Sequence, residues 1–169
     1  MLDAHSPLGM TEMFSSHDTM LSEAPGFTLT QVAGDEKALK KAVGKLPKEV
    51  GKVLEHDGQT LFRTGPKQIW VLGEKVNADA GVYATPLSSG RTRFLLQGRR
   101  SREVLLACAA IDFHQSQFKS GQFVMTGIHH TPVLIHCVGP ESFHIYALRS
   151  FALNVWQWLA DVMEGLADD

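Results

Sequence analysis

The chain has 169 residues, of which 44% are hydrophobic and 20% charged, and its glycine and proline content is ordinary for a globular protein. A chain of this length can bury a sizeable core, so disordered, collagen-like and disulfide-stapled classes are excluded. Its net charge of −2 creates no strong field for a polyanion or an anionic bilayer, and we expect neither nucleic acid nor a membrane as a partner.

Targeting signals and cysteines point to the cytoplasm. The N-terminus lacks a basic start followed by an apolar run, and the longest apolar run, residues 104–111, is far shorter than the roughly 18 residues that span a bilayer. Cys108 and Cys137 lie among apolar neighbours, which is typical of small core residues that a cytosolic compartment keeps reduced. We therefore expect a cytoplasmic protein.

The first part of the chain, residues 1–26, is polar and rich in methionine, with Pro7, Gly9, Pro25 and Gly26 as breakers. It has no sustained apolar period, so it is predicted to be a flexible N-terminal arm.

The next segment, residues 27–80, predicts a strand, a helix and three strands. The strand covers residues 27–32, and Leu39, Val43 and Leu46 recur at helical spacing. Three short β-like runs follow over residues 52–74, separated by Asp57-Gly58 and Gly65-Pro66.

Residues 81–169 repeat this order. A strand is predicted at 90–98, a helix at 99–112, and strands at 121–127, 132–139 and 142–150. Gly98 matches Gly34 ahead of the helix, Gly139-Pro140 matches Gly65-Pro66, and a longer loop is expected from Ile111 to Gly121. We predict a single α+β domain over 27–169, made of two pseudo-repeats, 27–80 and 81–169.

The last helix, predicted over residues 150–166, has an apolar face broader than packing on one sheet requires. One interpretation is a helix sandwiched within its own domain. The other is that Trp156 or Trp158 packs into another subunit, because aromatic residues are enriched in interface cores.

Histidines are the first candidates for chemistry. His129, His130, His136 and His144 lie close in sequence around Cys137, but without the spacing that zinc sites use. Adjacent His129 and His130 would point to opposite faces of a strand. His136 and His144 could face each other across a hairpin, but a one-residue change in register would put them on opposite faces. We predict no metal site.

Other catalytic and cofactor patterns are missing from the sequence. It contains no nucleophile elbow, no P-loop and no dinucleotide glycine motif, and residues 113–140 contain no Asp or Glu to act as general acid or base. We predict no catalytic and no cofactor-binding residues. A basic cluster is either a solvated face or a dock for an acidic surface or an anion; it consists of Arg91, Arg93, Arg99, Arg100 and Arg102.

A set of short motifs in fixed order resembles the gamma subunit family of heterotetrameric sarcosine oxidase. The resemblance covers about residues 82–163, reaches weakly back to residue 61 and includes nothing before residue 27. Its pieces are Ser89-Gly90-Arg91-Thr92, Gly98 before a helix, Ile111-Asp112-Phe113-His114, residues 118–121, and Arg149-Ser150-Phe151-Ala152 with Trp156 and Trp158.

This resemblance implies an α+β fold with two related ferredoxin-like halves, similar to the folate-binding aminomethyltransferases. It implies a four-chain flavoenzyme that demethylates sarcosine oxidatively to glycine, with tetrahydrofolate as one-carbon acceptor. FAD, FMN, NAD and tetrahydrofolate are expected on the partner subunits alpha, beta and delta, with the large alpha chain as the nearest partner. The gamma chain is expected to be non-catalytic, with a role in assembly.

The chain departs from aminomethyltransferases at one hairpin, where His129-His130-Thr131-Pro132 replaces their acidic pair. This departure argues against independent folate chemistry. Two alternatives remain: a stand-alone folate-binding or aminomethyltransferase-like protein, and the equivalent subunit of an N-methyl amino acid dehydrogenase, such as one acting on N-methylglutamate.

Overall fold

The structure, a computed structural model, describes residues 6–9 and 13–166. Its strands are β1 (Phe14–Ser16), β2 (Thr19–Glu23), β3 (Leu29–Ala33), β4 (Val53–His56), β5 (Gln59–Gly65), β6 (Gln68–Leu72), β7 (Tyr83–Pro86), β8 (Arg91–Gly98), β9 (Phe123–Ile128), β10 (Thr131–Gly139) and β11 (Ser142–Leu148). Its α-helices are α1 (Glu36–Val43), α2 (Ser101–Cys108) and α3 (Ala152–Gly165). The predicted α+β class is confirmed.

The chain forms two compact units. The large unit comprises the described parts of residues 1–25, 89–120 and 124–169, and the small unit comprises residues 26–88 and 121–123. Each unit has its own sheet and its own helical layer.

In the large unit, six strands lie in the order β1-β2-β8-β11-β10-β9. Because alternate residues of a strand point to opposite faces, one face carries an apolar row from each long strand, and α2 and α3 pack on it. The core on this face includes Leu21, Phe94, Leu96, Val104, Leu105, Phe113, Ile135, Phe143, Ile145, Val155, Trp156, Leu159 and Met163.

In the small unit, five strands lie in the order β4-β5-β6-β3-β7. Asp35 caps α1 by accepting a hydrogen bond from the Ala38 N–H at 2.8 Å, and Gly44 ends the helix with a φ of 81°. The buried side of α1, which includes Leu39 and Val43, joins the core of this sheet. The predicted amphipathic helix is therefore confirmed.

The two units share an element order and a sheet order. In the small unit a strand, a helix and three strands follow one another as β3, α1, β4, β5 and β6, and in the large unit as β8, α2, β9, β10 and β11. The strand order β4-β5-β6-β3 in one sheet corresponds to β9-β10-β11-β8 in the other. In both sheets, one more strand pairs with the free side of the first strand of the repeat: β7 pairs with β3 in the small unit, and β2 pairs with β8 in the large unit.

The matching glycines make matching contacts within each unit. The Gly34 N–H donates to the carbonyl oxygen of Lys67 at 3.0 Å, and the Gly98 N–H donates to that of Glu141 at 2.9 Å. Each acceptor directly follows a Gly-Pro pair, and each Gly-Pro hairpin has a register shift in its first strand. The sequence landmarks thus occupy equivalent places in the two units.

The ferredoxin-like part of the prediction is not confirmed. A ferredoxin-like half has the order β-α-β-β-α-β, whereas in each unit here three consecutive strands follow the first helix. The difference follows from chain connectivity, because two tight hairpins join these three strands into an antiparallel meander.

The prediction of a flexible arm over residues 1–26 needs correction where the structure describes it. β1 and β2 pair with each other, and β2 pairs with β8, so this segment extends the large sheet. Leu21 is fully buried there, because its side chain joins the core. The sequence did not predict this hairpin because its strands are too short to show an apolar period. In addition, its two-residue turn, with positive φ at His17 and Asp18, contains no glycine. Residues 1–5 and 10–12 lie outside the described residues.

Candidate functional site

The two histidines His136 and His144 face each other across β10 and β11, as the hairpin interpretation expects. His136 is 5% exposed. Burial, followed by the electrostatic influence of His144, lowers the pKa of His136 to about 4. Burial and the nearby Arg93 lower the pKa of His144 to about 4 as well. Both imidazoles are therefore neutral near pH 7.

This pair does not form a metal centre with other residues. A zinc site needs about four ligands arranged tetrahedrally. Over residues 6–9 and 13–166, no group of three or more His, Cys, Asp or Glu side chains is placed to hold a metal ion. The two imidazoles lie on the sheet face opposite α2 and α3. Residues 135 and 145 belong to the core on the helix side, and successive strand residues point to opposite faces.

His129 and His130 lie in a turn, and the expectation that they point to opposite faces of a strand is wrong. They form the two-residue connection between β9 and β10, with φ values of 44° and 65°. Such a turn needs positive φ at both central positions, which Asn and Gly usually supply. Both histidines are exposed, and the His129 ring stacks on the Trp158 ring of α3 with centroids 4.0 Å apart.

The two tryptophans of α3 have different roles. Trp156 is 7% exposed and packs against Phe94 with ring centroids 5.8 Å apart, so it belongs to the core. The hypothesis that Trp156 packs into another subunit is therefore wrong. Trp158 is only partly buried, beside the His129 turn. Most of the apolar breadth of α3 faces the core of its own unit, whereas Leu153 is 49% exposed.

The arginine cluster is divided among separate tasks. Arg93 donates from Nε to the Ala24 carbonyl oxygen at 3.0 Å, and Arg100 forms an ion pair with Glu103 at 2.8 Å. Arg99 is exposed. The cluster is therefore not one solvated face, because Arg93, Arg100 and Arg102 all contact other groups of the protein.

Arg102 holds the long loop between α2 and β9. Its Nη1 donates to the carbonyl oxygens of Phe113 and Phe118, and its Nε donates to that of Pro140 at 2.8 Å. Its guanidinium lies 5.0 Å from the centre of the Phe143 ring. One charged side chain thus satisfies three backbone acceptors, two in the loop and one in the Gly139-Pro140 turn.

Both cysteines behave as the sequence predicts. Cys137 is fully buried in the core, and its thiol donates to the Gly139 carbonyl oxygen at 3.1 Å. Cys108 packs against the same core, and burial raises the pKa of its thiol to about 12. Because the thiolate is the reactive form, this shift lowers the reactivity of Cys108 near neutral pH.

Two open clefts lie within the units. The first, of about 820 Å³, lies where the β1–β2 turn, the end of β8 and the Gly139-Pro140 turn meet, and it includes His17, Asp18, Gln97 and Glu141. The second, of about 460 Å³, adjoins the end of α1 and includes His56, Asp57, Glu74 and Lys75. A pteridine or flavin ring needs a largely apolar, aromatic-lined slot. Neither lining contains Phe, Tyr or Trp, so neither cleft offers such a slot.

The sequence did not indicate how important Gly98 is to the structure. Gly98 has a φ of 126°, and a Cβ there would lie 2.1 Å from the Asp18 carbonyl oxygen. Its sequence signal, a glycine between a strand and a helix, gives no hint that the β1–β2 turn packs on it.

No α-helix among the described residues is long and apolar enough to cross a bilayer.

The sequence of this chain matches one known protein family. The profile of the "Sarcosine oxidase, gamma subunit family" matches residues 17–164, which includes β2 and most of the chain. The "Sarcosine oxidase subunit gamma" of Corynebacterium sp. strain P-1 is 28% identical over 149 residues, covering 81% of this chain and 73% of that protein. The protein of the same name from Corynebacterium sp. strain U-96 is 28% identical over 138 residues, covering 75% and 67%.

Solved structures show the same fold. A chain of "Heterotetrameric Sarcosine Oxidase from Corynebacterium sp. U-96 in complex with pyrrole 2-carboxylate" matches with a TM-score of 0.83 and 23% identity, covering 98% of this chain and 97% of that chain. The glycine cleavage system aminomethyltransferase T from Bartonella henselae matches with a TM-score of 0.60 and 15% identity, covering 85% of this chain and 46% of that chain. With its profile match extending over residues 17–164, this chain belongs to the sarcosine oxidase gamma subunit family.

Proposed function

We propose that the chain is the small, non-catalytic subunit of a heterotetrameric sarcosine oxidase, an enzyme that converts sarcosine to glycine with tetrahydrofolate as one-carbon acceptor. The observation that carries this proposal is the family match over residues 17–164, and the likeness over 98% of the chain to a structure titled as the heterotetramer supports it. Its role is assembly of the complex.

The chemistry of the described residues supports a structural role. Arg102 is engaged by backbone carbonyls, His136 and His144 are held neutral by burial, and Cys108 is held as a thiol. General acid–base catalysis works best with a group whose pKa lies near the working pH. The strongly shifted groups have pKa values far from neutrality, which suits packing better than proton transfer.

The cofactors are placed on other chains in this proposal. FAD, FMN, NAD and tetrahydrofolate bind the alpha, beta and delta subunits, and the alpha subunit is the direct neighbour of this chain. Two observations support this assignment: neither cleft is lined by Phe, Tyr or Trp, and the exposed His129-His130 turn stands where the resemblance implies an acidic pair. The fold is proposed to derive from an internally duplicated aminomethyltransferase-like ancestor, and the complex is proposed to be cytoplasmic.

Ligand binding to the isolated chain separates this proposal from the folate-binding alternative. We expect the purified chain to lack flavin absorbance near 450 nm and to show no heat of binding with tetrahydrofolate in the micromolar range. Micromolar tetrahydrofolate binding by the chain alone would favour a stand-alone folate protein and would contradict the proposal.

A further inference from the structure

The strand β7 is an exposed edge of the small sheet. All four of its residues are exposed, and Tyr83 is 82% exposed. Edge strands of stand-alone proteins are usually protected by charged side chains, bulges or covering segments. Residues 80–90 contain no charged side chain, and Pro86 is the one protective residue within β7.

The backbone groups that point outward from β7 follow from its pairing with β3. The Leu87 N–H donates to the Leu29 carbonyl oxygen at 2.8 Å, and the register pairs Gln31 with Thr85 two residues further on. Hydrogen-bonded pairs alternate along an antiparallel ladder, so Thr85 and Tyr83 direct their backbone groups toward β3. Ala84 therefore directs its N–H and carbonyl away from the sheet, and Pro86 contributes an outward carbonyl.

The large unit shows what a neighbour at this position looks like. β7 is the outer antiparallel neighbour of β3, as β2 is of β8. Two glycines support the equivalence. Gly34 follows β3, and a Cβ there would lie 3.1 Å from Val82, which directly precedes β7. Gly98 ends β8, and a Cβ there would collide with Asp18, which directly precedes β2. β2 has β1 on its outer side, whereas among the described residues β7 pairs with β3 alone.

We propose that the outer edge of β7 accepts an extended segment of a partner subunit, which adds a sixth strand to the small sheet in the place that β1 occupies in the large sheet. The added strand runs antiparallel to β7, as β1 does to β2. Its binding depends on backbone hydrogen bonds to Ala84 and Pro86 and on side-chain packing against Tyr83. This inference rests on the proposed function, because the partner is a subunit of the same enzyme.

Amide hydrogen exchange with residue-level fragmentation tests the proposal on the wild-type protein. In the chain alone, the Ala84 amide should exchange rapidly and the Thr85 amide slowly. In the complex assembled with the other subunits, exchange at Ala84 should slow by at least about tenfold, while Thr85 stays protected. Rapid exchange at Ala84 within an intact complex would overturn the proposal.

A proline variant tests the same hydrogen bond by mutation. Ala84→Pro removes the outward N–H, and proline is tolerated on an edge strand when that N–H is not used within the sheet. We expect the variant to fold with nearly unchanged thermal stability and to recover at least about tenfold less partner subunit in co-purification. Equal recovery from the folded variant would contradict the proposal.

Ser15→Pro provides the matched control on β1, an edge strand of the large sheet. Ser16 pairs with Thr19 beside the two-residue turn, so Ser15 points its N–H away from β2 in the same way. This control should assemble like the wild type, and an equal loss in both variants would overturn the assignment to β7. If Ala84→Pro fails to fold, the exchange measurement on the wild type decides.

Two further outcomes are distinct. Failure of the wild-type chain to co-purify with any partner subunit would contradict the proposed function itself. A concentration-dependent dimer of the isolated chain that Ala84→Pro dissolves would identify a second copy as the occupant of the β7 edge, and would overturn the partner-subunit assignment.

Discussion

At the scale of single residues, Gly98 shows how one missing Cβ determines a junction. Its φ of 126° lies in a region that side chains rarely adopt, and the Asp18 carbonyl oxygen occupies the space where a Cβ would be. The Gly98 N–H also donates to the Glu141 carbonyl oxygen. Three chain segments therefore meet at a position that only glycine fits.

Replacement of Gly98 by alanine should destabilise the protein by about 3 kcal/mol or more, because backbone strain and overpacking act together. Urea unfolding followed by circular dichroism measures this loss. Gly90→Ala is the control, since Gly90 lacks a positive φ and no atom lies within 4 Å of its ideal Cβ. A Gly98→Ala protein as stable as Gly90→Ala would contradict the assignment.

His136 and His144 make stability depend on pH in one direction. Their folded-state pKa values, about 4, lie below the ordinary value of 6.5. Between these values the unfolded chain binds protons that the folded chain does not, so the free energy of unfolding falls as pH is lowered from about 6.5 to about 4.

Replacement of His136 by glutamine should reduce this acid sensitivity. Between pH 6.5 and pH 5 one such histidine contributes roughly 2 kcal/mol to the loss of stability. The difference in unfolding free energy between pH 7 and pH 5 should therefore shrink by about that amount in the variant. The exposed His114 offers a control, and His114→Gln should leave the difference close to that of the wild type. An unchanged pH dependence in His136→Gln would contradict the assigned role.

At the scale of elements, Arg102 links α2 to the loop that precedes β9. The loop places Phe113 and Phe118 in the core, with their rings in edge-to-face contact at 5.2 Å. Loop carbonyls near a core need hydrogen-bond partners, and Arg102 supplies them for both phenylalanines. Arg102, which the sequence grouped with a basic cluster, therefore stabilises the loop by hydrogen bonds to its backbone.

Arg102→Met should retain the aliphatic stem but leave those carbonyls without their donor, at a cost of about 2 kcal/mol or more in the stability of the loop. Trypsin cleavage after Lys119, within the loop, should then accelerate by about tenfold or more. Arg99→Met on the exposed neighbouring residue should cleave at the wild-type rate. Equal cleavage rates in the two variants would show that Arg102 does not hold the loop.

Elements with strong periodicity could be predicted from sequence, and short edge elements could not. Strand-like apolar runs bounded by glycine and proline predicted β8, β10 and β11, and apolar residues at helical spacing predicted α1 and α3. β7 has four exposed residues and therefore no burial pattern. The sequence suggested that His136 could face His144 but could not establish it. A regular two-residue turn would pair His136 with Ile145, and the register shift between Cys137 and Gly139 produces the observed pair. The contacts of Arg102 could not be predicted, since they depend on how a long loop folds back onto α2.

At the scale of the whole molecule, two units with one topology are combined in a chain of the sarcosine oxidase gamma subunit family. Shared element order and paired glycine contacts support the proposed duplication. The groups with the most strongly shifted pKa values are buried or half-buried. Among the described strands, β7 alone has every residue exposed, and it is an uncharged edge. These features together favour a protein whose function depends on association with other chains.

Native mass spectrometry tests the proposed subunit role directly, on material recovered with an affinity tag on this chain after co-expression with the other subunits. We predict one assembly whose mass equals one copy each of four different chains, with flavin present in the assembly and absent from this chain when it is released. Recovery of this chain alone, or of flavin or folate bound to the released chain, would contradict the proposed role.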